Sequence, residues 1–171
     1  MRIFLLGFMG SGKSYTGIRL AQQLEFPFVD LDTYIEDQND KTIDQIFEEV
    51  GEDGFRQKEK AALQSIHAYE KVVVACGGGT PCFFDNMNWM KNHGTTIFLD
   101  LPPHILEQRL LNGMDHRPLI KNLNKQGDLR AYIDSKLKAR RPFYQQADII
   151  FNPDNESLAP WIALEHWVLY G

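Results

Sequence analysis

The chain has 171 residues, 43% of them hydrophobic and 24% charged, which suits one globular domain with a proper core. Eighteen Lys and Arg against 23 Asp and Glu leave a net charge of −5. Nucleic acid is therefore not expected as a partner, and an anionic ligand must be held by local cations and backbone N–H groups. The longest stretch free of Asp, Glu, Lys and Arg runs from 72 to 84 and contains three glycines and a proline. A membrane span needs about 20 apolar residues, so no membrane partner is expected either. The apolar start is short, Lys13 follows closely and no small-residue cleavage site appears, so a cytoplasmic protein is expected; a monomer is taken as the default, since no residue pattern here gives the oligomeric state. Cys76 and Cys82 are too few for a disulfide framework and read as two reduced thiols, Cys76 as a small buried hydrophobe.

Short apolar runs alternate with helical stretches, the pattern of βαβ units around a parallel sheet, so the predicted class is α/β. The first predicted strand, 3–6, runs into Gly7-Phe8-Met9-Gly10-Ser11-Gly12-Lys13-Ser14, which has P-loop spacing and opens a helix over 14–24. The glycines let backbone N–H groups curl around phosphate oxygens, and the helix adds its positive end. Lys13 is placed to neutralise β- and γ-phosphates, and the Ser14 hydroxyl to ligate Mg²⁺. A nucleoside triphosphate site is predicted. It is not that of a GTPase switch protein, because no glycine has an Asp three residues before it and Asn124-Lys125-Gln126 is followed by Gly127.

The second predicted strand, 28–30, ends on Asp30, with Asp32 one residue beyond. Alternation in an extended chain would set both carboxylates on one side, one for Mg²⁺ and its waters and one for a substrate hydroxyl. The competing role is a helix N-cap, which Asp32 could also serve. Helices are predicted over 33–50 and 55–69. In the latter, Phe55, Ala62, Ile66 and Tyr69 form an apolar stripe on which Glu59 also falls, with Arg56 three residues before it. A buried pair of this kind either braces the helix or faces a polar ligand.

The third strand, 72–75, leads through Cys76 into Gly77-Gly78-Gly79 at the carboxyl edge, where open α/β sheets bind ligands. Three glycines there suggest close approach of backbone to a ligand. A helix over 84–92 and a strand over 95–99 follow, the strand ending on Asp100, a rival to Asp30 for the metal. After a helix over 103–111, the polar segment 112–127 reads as a lid. The helix over 128–144 carries Arg140 among Leu129, Tyr132, Ile133, Leu137 and Tyr144, and a guanidinium on a core face needs an anion. Arg141 points elsewhere and reads as a solvated charge or a partner of the helix C-terminus. A last strand, 148–151, and a helix over 158–169, with Leu158, Trp161, Ile162, Glu165 and Leu169 on its inner side, complete the chain.

The P-loop, Asp30-Leu31-Asp32, Phe55-Arg56 with Glu59, Gly77-Gly78-Gly79, Arg117-Pro118-Leu119 and Arg140-Arg141-Pro142-Phe143-Tyr144 together resemble shikimate kinase, in its order and at roughly its spacing, over nearly the whole chain. The resemblance implies a three-layer P-loop kinase fold of the nucleoside monophosphate kinase type, with a five-stranded parallel sheet. It implies one domain over 1–171, with the P-loop at 7–14, a shikimate-binding region near 31–60 and the lid near 112–127. The implied reaction moves the γ-phosphoryl group of ATP to the 3-hydroxyl of shikimate, with Mg²⁺, on the way to chorismate and the aromatic amino acids. By the same resemblance Gly10, Ser11, Gly12, Lys13, Ser14 and Tyr15 contact the nucleotide, and Arg117 meets its phosphates from the lid. Ser14 and Asp30 serve the metal, and Asp32 contacts the accepting hydroxyl. Arg56, Gly77, Gly78, Gly79 and Arg140 bind shikimate, with Glu59 supporting Arg56, and catalysis falls to Lys13, Asp32 and Arg117. The interval from Arg109 to Arg117 is one residue longer than usual and 152–155 has no clear counterpart in the family's adenine loop, which leaves the adenine contacts open. The alternatives are another small-molecule P-loop kinase, such as a gluconate kinase, or a nucleotide-binding paralogue without activity.

Overall fold

Ile3-Phe4-Leu5-Leu6 and Val72-Val73-Val74-Ala75 are apolar at every position, the mark of parallel strands covered on both faces. A computed structural model, which describes residues 1–112, 126–154 and 159–170, places them at the centre of the sheet. The strands are β1 (Arg2–Leu6), β2 (Phe28–Asp30), β3 (Val72–Ala75), β4 (Thr95–Leu99) and β5 (Ile149–Phe151). They pair in the order β2-β3-β1-β4-β5, all parallel, with Ile3 opposite both Val73 and Thr95. The edge strands β2 and β5 are only partly buried, since each has a neighbour on one side alone; β5 is apolar throughout, yet Ile150 is exposed.

The helices among the described residues are α1 (Lys13–Leu24), α2 (Leu31–Asn39), α3 (Ile43–Ser65), α4 (Asn86–His93), α5 (Pro103–Leu111), α6 (Gln126–Tyr144) and α7 (Pro160–Tyr170). They cover both sides of the sheet. Leu20 and Ala21 of α1 and Ala163 and Leu164 of α7 share one core cluster with Ile3, Leu5 and Ile97. The other side of the sheet packs Phe4, Leu6, Val74 and Phe98 under residues of α2 through α6, including Ile35, Leu63, Met90, Leu106 and Ile133. This is the expected three-layer α/β arrangement.

Several details differ from the sequence-based expectation. The predicted helix 33–50 is two helices: α2 starts at Leu31 and stops where Asp40 turns left-handed (φ 50°). Thr42 and Gln45 then form a reciprocal capping box that starts α3. The expected division between 50 and 55 is present as a kink, where Gly51 (φ 67°, ψ −175°) leaves the helical region between two helical stretches of α3. Phe84 is also left-handed (φ 50°), so α4 begins two residues later than expected. In α7 the inner side is Ala163 and Leu164, flanked by Trp161 and Val168, while Ile162 and Leu169 are 42% and 45% exposed. The buried side is thus turned by about one residue from the expected one; Leu158 lies outside the described residues.

Candidate active site

At the carboxyl edge of the sheet a cleft of about 420 Å³ is lined by the P-loop, Asp30, Asp32, Gly77, Gly78 and Arg109. The P-loop owes its shape to backbone conformations that side chains rarely adopt, with φ 82° at Gly10 and 91° at Gly12. Gly12 is the N-cap of α1, so the helix points its free N–H groups into the cleft. Lys13 curls over the loop, its Nζ donating to the carbonyls of Gly7 (2.9 Å) and Phe8 (3.0 Å). Ser14 Oγ donates to Asp30 Oδ2 at 2.6 Å, bringing the two expected metal-site oxygens together. Tyr15 touches the cleft, but its ring packs edge-on against Trp161 and beneath the Arg19 guanidinium.

Asp30, not Asp32, is the N-cap of α2: its Oδ1 accepts from Asp32 N at 3.2 Å. Asp32 therefore sits in the first helical turn, and strand alternation is not what brings the carboxylates together. The cap does so, by bending the chain so that both line the cleft. Asp32 is exposed along the cleft, and on its protein side it is packed close to the glycine run. Desolvation on that side, with the charges of Asp30 and Glu59 and against the pull of Lys13, raises its pKa from 3.8 to about 6.

Each glycine of the run at the end of β3 faces a different functional side chain. A Cβ on Gly77 would stand 3.0 Å from Asp32 Oδ1 and 3.1 Å from Glu59 Oε1. One on Gly78 would stand 3.0 Å from Arg140 Nη1, and one on Gly79 would stand 2.8 Å from both terminal nitrogens of Arg56. Two carboxylates and two guanidiniums thus converge on three residues of bare backbone.

Arg56 and Glu59 form a buried ion pair at 2.8 Å, with Glu59 only 1% exposed. The guanidinium lies 4.0 Å over the ring of Phe83. Thr80 Oγ1 donates to the second Glu59 oxygen at 2.6 Å, so both carboxylate oxygens are engaged. Arg140 is half-buried 5.7 Å above the Phe8 ring and beside the Tyr144 phenol. No carboxylate among the described residues pairs with it. A cation on a half-buried face with no acidic partner is a ready anion site.

Asp100, the rival for the metal, is taken by Arg141, with contacts of 2.9 and 3.5 Å, and does not line the cleft. Arg141 is accordingly an ion-pair partner and not the solvated charge expected from its position. Arg109 does reach the cleft and pairs with Asp154 at 2.9 Å, joining the two segments whose adenine contacts the sequence left open. Arg117 and the lid residues 113–125 lie outside the described residues. Sequence reasoning missed Thr80, Phe83 and the Tyr144 hydroxyl. Thr80 follows the glycine run directly and Phe83 lies four residues beyond it, which was the available signal. Cys76 is buried and Cys82 half-buried, both as free thiols.

These features have close counterparts in known proteins. A family model described as shikimate kinase matches residues 9–167. A shikimate kinase of Bacteroides fragilis is 46% identical over 154 residues, 90% of this chain and 86% of that protein. The crystal structure of shikimate kinase from Bacteroides thetaiotaomicron superposes with a TM-score of 0.88 at 41% identity, covering 96% of this chain and 93% of the other. The Acinetobacter baumannii enzyme, solved in complex with shikimate, gives 0.80 at 32% identity over 98% and 90% of the two chains. With its sheet order, its P-loop and nearly its whole length accounted for in this way, the chain belongs to the shikimate kinase family.

Proposed function

We propose that the cleft performs the family's reaction, transfer of the γ-phosphoryl group of ATP to the 3-hydroxyl of shikimate, with a division of labour set by the glycine run. The observation that carries this reading is the placement of Asp32, Arg140 and Arg56 against Gly77, Gly78 and Gly79 in turn. Shikimate is a small carboxylate with three hydroxyls. It calls for fork-like cations at one end, a carboxylate acceptor at the other and close backbone between. Arg56 and Arg140 take the carboxylate, and Glu59, fixed by Thr80, holds Arg56 in place. Asp32, with its pKa near 6, is ionised at neutral pH and accepts the proton of the 3-hydroxyl as its oxygen bonds to phosphorus and the β–γ bridge breaks.

On the nucleotide side, Gly10 to Tyr15 cradle ATP, Lys13 offsets charge on the β- and γ-phosphates, and Arg117 adds a second cation from the 112–127 lid. Mg²⁺ fits the oxygens of Ser14 and Asp30, which lie side by side at the mouth of the P-loop. One hydroxyl and one carboxylate, with phosphate and water completing the shell, suit an ion that keeps much of its hydration. When bound, it would offset the negative charge of the phosphates. No helix among the described residues is long and apolar enough to cross a membrane, and the soluble substrates fit a cytoplasmic enzyme.

The test is a coupled ADP-release assay over a panel of shikimate, gluconate, other polyol acids and nucleoside monophosphates. Shikimate-dependent release is expected, with the others near background. Gluconate-dependent release without a shikimate response would favour a different kinase, and no release with any acceptor would favour a binding protein.

A further inference from the structure

The carbonyls of the glycine run are satisfied in two different ways. Those of Gly77 and Gly79 accept within the local turn, from the backbone N–H groups of Thr80 (3.1 Å) and Cys82 (2.8 Å). That of Gly78 accepts from the Tyr144 hydroxyl at 2.6 Å, across 66 residues of sequence. Tyr144 is fully buried, with its ring against Phe98 at 4.9 Å between centroids. A phenylalanine would fill that space equally well, so packing alone does not explain the hydroxyl. Burial pushes the phenol well above its ordinary pKa despite the Arg140 charge beside it, which keeps it a donor at any working pH.

Arg140 stands four residues before Tyr144 on α6, so both project from one face of the helix. Tyr144 grips the Gly78 carbonyl while Arg140 Nη1 lies 3.0 Å from where a Cβ on Gly78 would stand. The same glycine thus meets two successive turns of one helix. Arg141 pairs with Asp100 next door and pins that helix end to the tip of β4.

We infer that Tyr144 is a positioning residue of the shikimate subsite: its hydroxyl ties the middle carbonyl of the glycine run to the last turn of α6 and so sets the spacing of the Arg140 guanidinium from that run. The inference rests on the reading of Arg140 and Gly78 as substrate-binding groups. The phenol does not touch shikimate; it acts through Arg140.

The experiment is a double-mutant cycle in the full chain, with shikimate and ATP binding measured by calorimetry for Tyr144→Phe, Arg140→Ala and the double variant, after melting temperatures are checked. Tyr144→Phe is expected to weaken shikimate binding about five- to tenfold, the net worth of one buried hydrogen bond. ATP affinity should stay within about twofold, and in the Arg140→Ala background the second change should add little, since the two act as a unit. Unchanged shikimate affinity, parallel loss of ATP and shikimate affinity, or full additivity with Arg140→Ala would each overturn the inference. If Arg140→Ala itself leaves shikimate affinity unchanged, the substrate reading fails first, and the failure is traced to it. Should Tyr144→Phe not fold, the hydroxyl proton of the wild-type phenol serves as an NMR probe. It should shift on adding shikimate and not on adding ADP, and indifference to shikimate would overturn the assignment.

Discussion

Ser14 Oγ and Asp30 Oδ2 lie 2.6 Å apart, so one hydrogen bond joins the helix that opens in the P-loop to the tip of the edge strand β2. Asp30 also caps α2, which gives this carboxylate a fixed direction. Asp30→Asn is expected to raise the Mg²⁺ concentration needed for half-maximal activity by an order of magnitude or more, because an amide is a poor acceptor for metal-bound water. Asp100→Asn should leave the Mg²⁺ dependence unchanged and cost a little stability through the broken Arg141 pair. A magnesium titration of both variants checks this, and exchanged outcomes would move the metal to the β4 edge.

Lys13 holds two P-loop carbonyls and stands where transferring phosphate charge must be met. Lys13→Met keeps most of the side-chain volume and removes the charge. Turnover with saturating substrates should fall by about 10²–10³ or more, on the scale of a lost transition-state donor. Circular dichroism and melting should show an intact fold; near-normal turnover would refute the P-loop assignment.

Arg56 is the test of the substrate. Its removal leaves a carboxylate ligand underpaired at a cost of roughly 2–4 kcal/mol, or a loss in shikimate affinity of about 30- to 700-fold. ATP affinity should change by only a few-fold. Glu59 is left buried without its partner, so the Arg56→Ala protein should also melt lower and must be measured below that transition. Arg56→Lys should rescue only in part, since an ammonium lacks the planar fork. Glu59→Gln should give a milder form of the same defect. Calorimetry on the folded Arg56→Ala protein decides, and unchanged shikimate affinity would sink the carboxylate site.

Asp32 sets a pH dependence. Its pKa of about 6 means that the form able to accept a proton is lost below that pH, so kcat/KM for shikimate should fall about tenfold per unit as pH drops through 6. Stability runs the other way. The folded pKa lies above the ordinary 3.8, so the fold disfavours the ionised form, a penalty absent below about pH 4 and complete above about pH 6. Asp32→Asn should therefore be inactive, melt higher than the natural protein at pH 8, and show no such gain at pH 4. A higher melting temperature at pH 4 than at pH 8, relative to the natural protein, would contradict the assignment of the strained carboxylate.

The strands were legible to within a residue because continuous apolar runs of this length have few other uses in an α/β chain. The charged site was legible for the opposite reason: Glu59 and Arg140 interrupt apolar faces, and such interruptions are costly enough to demand a purpose. What stayed hidden lacked either kind of contrast. Tyr144 reads as one more apolar residue of its stripe, and only the fold brings its hydroxyl to Gly78. The Asp100–Arg141 pair spans 41 residues and has no local signature. The split between α2 and α3 was written in Thr42 and Gln45, but the helical period runs on across it and masked the cap. The inner face of α7 was hard to read because the helix is apolar on most sides, so its period offers little contrast to show that Ala163 and Leu164 pack inward.

The central place of β1 has a consequence for how the protein is made. β1 precedes both of its neighbours in the chain: it lies between β3 and β4 and has no partner in the sheet until residues 72–75 and then 95–99 exist. Gly7, the first glycine of the phosphate loop, is closely backed by the Leu99 carbonyl, 3.0 Å from where its Cβ would be. A nascent chain shorter than that has the loop in sequence and not in shape. Parallel pairing across such intervals closes long loops before it gains contacts, which makes it slow. The apolar strand that leads into the phosphate loop therefore waits without a neighbour until β3 emerges, and with one side still open until β4 does, exposed meanwhile to aggregation.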